Sequence, residues 1–168
     1  MRITNSLLAA ALLLAGTAQL SQAQELASTD QTVTMSVSAI NQLSFAASVS
    51  LTVSTGVIGT NALTPATASS TYGIISNVDS VSVAKISATL DTDMPAGSSL
   101  EVSLDAPTTV TGAVAAGKLA LSTTSVDLVT NIPAVNESGI PLTYTFTADV
   151  NTPASLSRTV HYVLTQGA

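Results

Sequence analysis

PLTYTFTADV, residues 141–150, alternates along its whole length: Leu142, Tyr144, Phe146, Ala148 and Val150 fall on one side, and Thr143, Thr145, Thr147 and Asp149 on the other. Successive side chains of an extended chain point to opposite faces, so a period of two predicts a strand with one buried face. The threonine side is then expected to face water. Threonine suits such a position because its branched Cβ favours extended backbone.

The same pattern recurs on both sides of this stretch. Residues 99–104 set Leu100, Val102 and Leu104 against Glu101 and Ser103, and residues 83–90 set Ala84, Ile86, Ala88 and Leu90 against Val83, Lys85, Ser87 and Thr89. Strands are further predicted at 32–40 (TVTMSVSAI), 48–53 and 158–165, with shorter ones at 71–76, 118–122 and 126–130. Proline and glycine punctuate the intervals, as at Pro65, Pro95-Ala96-Gly97, Pro133 and Gly139-Ile140-Pro141. No convincing helical period appears; AVAAGKLA at 113–120 is interrupted by Gly117. Many short alternating segments at this spacing predict an all-β, antiparallel sandwich with a mostly aliphatic core. Two stretches read as loops able to present a binding surface, 56–70 (GVIGTNALTPATASS) and 131–141 (NIPAVNESGIP).

At the N-terminus, Arg2 precedes the apolar run LLAAALLLA at 7–15, and Ser21 and Ala23 stand two apart ahead of Gln24. This order of charged, apolar and small residues is that of a secretory signal peptide, and the run is short of the roughly 20 apolar residues that span a bilayer. We expect residues 1–23 to be removed and residues 24–168 to form a single exported domain. The destination is then the cell surface, the extracellular space or the periplasm, without membrane insertion of the mature chain. There is no cysteine, so the domain is held by packing and strand pairing alone. Beyond Arg2 the cations are Lys85, Lys118 and Arg158, against ten acidic residues. Three scattered cations make no phosphate-tracking surface, which excludes nucleic acid as an expected partner.

Catalytic chemistry has little to work with. His161 is the one histidine, no G-x-S-x-G elbow occurs, and Gly56-Val57-Ile58-Gly59 lacks the lysine of a P-loop. His161 reads as a surface residue on a strand. One histidine and no cysteine leave zinc and redox metals without ligands, and no cofactor is expected. Asp91-Thr92-Asp93 places two carboxylates on one side of an extended chain. We read Asp91 and Asp93 as turn-forming acids ahead of Pro95-Ala96-Gly97, with calcium binding as the alternative. The expectation is that this is not an enzyme.

Residues 85–100 (KISATLDTDMPAGSSL), 121–124 (LSTT), 136–139 (NESG) and 158–165 (RTVHYVLT) together resemble segments of a loosely defined group of small secreted bacterial β-sandwich proteins. A weaker similarity is to WxL-type surface domains and fimbrial subunits, from which the chain departs in having neither tryptophan nor cysteine. The resemblance implies an immunoglobulin-like sandwich outside the cell and transfers no catalytic residue. The expected role is that of a noncatalytic structural protein, a subunit of a surface layer, matrix or filament. It would associate with itself or another surface protein through strand edges, with 32–40 and 158–165 as the candidates. The alternative is a binding module that contacts glycan, protein or calcium through loops 56–70 and 131–141.

Overall fold

A computed structural model describes residues 31–77 and 82–166. The proposed signal peptide lies outside the described residues. The chain divides into two compact units, Met1–Ser36 and Val37–Ala168. Only residues 31–36 of the first are described, and none is in a strand.

All described strands belong to the second unit: β1 Asn41–Phe45, β2 Ala66–Ser76, β3 Ala84–Leu90, β4 Ser99–Leu104, β5 Val114–Ala115, β6 Lys118–Ala120, β7 Val126–Ile132, β8 Val135–Thr147 and β9 Val160–Gln166. No helix occurs among the described residues. The strands form a five-stranded sheet, β1-β2-β8-β4-β6, and a four-stranded sheet, β5-β7-β3-β9, with every neighbouring pair antiparallel. This is an antiparallel β-sandwich. The last two strands, β8 and β9, lie in different sheets, whereas the immunoglobulin constant arrangement pairs its last two strands side by side.

Register follows from the apolar faces. Leu100, Val102 and Leu104 of β4 stand opposite Phe146, Tyr144 and Leu142 of β8, and Ile86, Ala88 and Leu90 of β3 stand opposite Leu164, Tyr162 and Val160 of β9. A shift of one residue would turn each of these sets to water. Ile86, Val102, Leu104, Leu128, Val129 and Ile132 are fully buried between the sheets. Each large aliphatic chain so buried contributes about 1.5–3 kcal/mol before its ordering entropy is counted.

The strands expected at 83–90 and 99–104 are present with their apolar faces inward. Other expectations are corrected. Residues 32–40 form no strand, and Val33, Met35 and Val37 are 66%, 85% and 83% exposed. Residues 48–53 also lie outside any ladder, although Val49, Leu51 and Val53 are half-buried and Ser50 and Thr52 exposed. Apolar contact holds this segment on the sandwich without strand pairing.

Most of the supposed loop 131–141 is strand. Residues Asn131 and Ile132 finish β7, Pro133 and Ala134 alone make the connection, and β8 begins at Val135. Ile132, Val135 and Ile140 are buried, which outweighs the turn residues beside them. Gly139 takes φ +74° where the register between β2 and β8 slips, between Tyr72 and Ile74. Irregular pairing absorbs the glycine here instead of ending the strand. The supposed loop 56–70 is likewise shortened, since residues 66–70 belong to β2. Its remainder is a small hairpin, with a Gly56–Leu63 bridge and a tip at 57–60 closed by Thr60 N–H donating to Val57 O at 3.2 Å.

Candidate binding cleft

The aromatic side chains fasten the sheets at one edge. Phe45 of β1 stacks on Tyr162 of β9 with centroids 3.9 Å apart, and on Tyr72 of β2 at 5.6 Å. The Tyr144 and Tyr162 hydroxyls meet at 2.6 Å, joining β8 of one sheet to β9 of the other. Tyr72 donates to Asp105 O at 2.7 Å. Burial pushes all three phenols above their ordinary pKa. They remain neutral hydrogen-bonding groups near neutral pH.

Farther along the same edge the sandwich is open. Val49 and Leu51 from the unladdered segment, Met94, Leu100, Phe146 and Leu156 line a cleft of about 450 Å³. Leu100 and Phe146 are cross-strand partners at the end of the five-stranded sheet where β2 begins, since Ala66 pairs with Phe146. Leu63 also lines it, and so connects the cleft to the hairpin at 56–63. That hairpin carries Val57 and Ile58 fully or largely exposed at its tip, and Val150 beside it is exposed as well. Residues 152–158 also line it. Like 48–53, they belong to no strand.

Arg158 lines the cleft, and its guanidinium donates to Asp93 O at 3.1 and 3.3 Å and to Ser157 O at 2.8 Å. Those partners are carbonyls. Among the described residues the ion pairs join Lys85 to Asp127 and Lys118 to Glu101, each at 3.0 Å, so the Arg158 charge is not matched by a carboxylate.

Asp91 and Asp93 stand near this end, each holding backbone. Asp91 Oδ1 accepts the Thr159 N–H at 3.1 Å, and Asp93 Oδ1 accepts the Thr123 N–H at 2.7 Å. The chain entering β9 and the turn after β6 are thereby tied to the end of β3. Among the described residues no three of His, Asp and Glu gather as a metal-holding group. His161 is exposed on β9.

The threonine face of β8 is more enclosed than its sequence suggests. Thr145 is only 8% exposed, because Thr67 of β2 and Glu101 of β4 stand directly opposite it on the two neighbouring strands. The central position of β8, not the residue type, closes it off.

Glu137 has a role that no local motif announced. Its carboxylate accepts the N–H groups of Thr108 and Thr109, at 2.9 Å each, and their hydroxyls at 2.8 and 2.7 Å. These bonds, led by those from Thr109, lower its pKa from the ordinary carboxyl value to about 2. The partners lie 28 and 29 residues away in sequence, beyond any spacing rule.

Among the described residues no helix is long and apolar enough to cross a membrane. In comparisons with known proteins, the chain matches no family model, no curated protein and no solved structure.

Proposed function

We propose that this chain is an exported, noncatalytic structural protein, a subunit of a surface layer, matrix or filament that associates with itself through an extended apolar segment. The observation that carries the reading is the state of residues 32–40. Val33, Met35 and Val37 alternate with polar residues as in a half-buried strand, yet all three are largely exposed. Exposed apolar side chains in strand register are suited to pairing with another chain. The likeness to secreted bacterial sandwich proteins supports the same setting, at the level of an immunoglobulin-like architecture with its own strand order.

The test is the solution mass of residues 24–168 by light scattering over a concentration series. The expected result is a mass that grows with concentration. A monomer at every concentration overturns the reading. Export is checked separately: the N-terminus of the protein recovered outside the cytoplasm should begin at Gln24.

The cleft favours a second reading, a module that binds glycan, protein or calcium outside the cell. Its volume falls within the range of clefts that take small ligands. A specific ligand would raise the melting midpoint by mass action. Melting with calcium and with a glycan panel tests this, and a midpoint unmoved throughout argues against it.

A further inference from the structure

We infer that the cleft receives residues 32–40 of a second copy of this chain, with Val33, Met35 and Val37 turned inward between the two unladdered walls. The inference rests on the self-association reading and names its acceptor.

Chemistry matches on both sides. The donor alternates apolar side chains with hydroxyls, and the cleft offers Val49, Leu51, Phe146 and Leu156 beside the hydroxyls of Thr52 and Ser155. Both walls, 48–53 and 152–158, run outside any ladder, so an incoming strand meets backbone not committed to a sheet. Charge agrees as well. Arg158 lacks a carboxylate partner among the described residues, and Asp30 stands two residues before the donor segment in sequence. An acid at that position would complement the guanidinium.

The chain's own Val37 cannot reach. Asn77 holds the residues leading into β1: its Nδ2 donates to Ser38 O, and its Oδ1 accepts the Ile40 N–H. Asn77 follows Ser76, the far end of the 11-residue β2, while the cleft adjoins the Ala66 end. The separation along the strand is roughly 35 Å. Val37 lies one residue before Ser38 and extends at most about 4 Å from it. A Val37 seated in the cleft therefore comes from another molecule. Donor and acceptor occupy opposite ends of β2, so the contact is heterologous: it propagates as an open chain unless two copies exchange tails reciprocally.

The absence of native cysteine makes the test direct. Val33→Cys, Met35→Cys and Val37→Cys chains are each mixed with a Ser155→Cys chain under mild oxidation; the three donors cover the register. Ser155 lines the cleft and is exposed, so the substitution spares the core. An Ala134→Cys chain serves as control, placed at the exposed turn beside the Ser76 end of β2. The expected result is a disulfide-linked heterodimer forming about tenfold faster or more with Ser155→Cys than with Ala134→Cys, reflecting raised effective concentration. Equal rates at the two sites overturn the proposal. No cleft cross-link in chains that still assemble by light scattering removes this acceptor and leaves self-association standing. No cross-link in chains that remain monomeric overturns both.

Discussion

Glu137 shows how one side chain can hold a distant turn. Its lowered pKa means that the tie to Thr108 and Thr109 is present while the carboxylate is ionised, above the ordinary carboxyl range. The tie is lost as pH falls through about 2. Amide exchange at Thr108 and Thr109 should therefore stay protected on mild acidification and lose protection only near that pH. Glu137→Gln should remove the protection at neutral pH as well, with little change at β3. Tyr162→Phe acts in the core: it leaves the Tyr144 hydroxyl without the partner that it meets at 2.6 Å. The expected loss is about 1–2 kcal/mol in urea unfolding. Gly97→Ala should also destabilise, by about 1–3 kcal/mol in the same assay. Gly97 sits at φ +81° in the turn closed by Ser98 N–H and Pro95 O, and an added Cβ would run into the Asp149 carboxylate. The Pro-Ala-Gly turn was legible in sequence. The Glu137 contact was not, because it depends on which loop the folded chain brings above β8.

At the scale of the element, the local sequence reports whether a segment could bury one face, not whether a neighbour is there to pair with it. β3 and β4 satisfy both conditions, and both are legible from their alternation. Residues 32–40 and 48–53 have the same period and lack the partner. The opposite error arises at 131–141, where Pro133, Gly139 and Pro141 suggest a loop although Ile132, Val135 and Ile140 are needed in the core. Asn131 illustrates the compromise. It takes φ +55° inside β7, where the pairing with β3 is irregular between Ala84 and Ile86. Asparagine tolerates that conformation far better than a β-branched residue. Asn131→Val should thus cost about 1–2 kcal/mol in denaturant unfolding, whereas Asn131→Gly should be nearly neutral. The cleft itself was beyond sequence reading, since its walls come from six separate parts of the chain. Leu100, Phe146, the alternation at 48–53 and the loop holding Leu63 were each visible beforehand, but not that they meet.

For the whole molecule, the question is whether stability and assembly can be separated. Val37 is 83% exposed and contributes little to the fold, so Val37→Asp should leave the melting midpoint nearly unchanged, within about 0.5 kcal/mol of stability. Light scattering should nevertheless show a monomer, because the aspartate would have to sit against Val49, Leu51 and Leu156. A parallel fall in midpoint and mass would instead mean that Val37 supports the domain. The hold of Asn77 on Ser38 and Ile40 then has a consequence for growth. In an open chain each added subunit would point the same way, giving a polymer with two unlike tips, one trailing a free tail and the other presenting an empty socket. A chain deprived of its tail could still accept a neighbour's but could offer none onward. Such a chain would act as a terminator, and a small fraction of it mixed with intact protein would set the average length of the polymer.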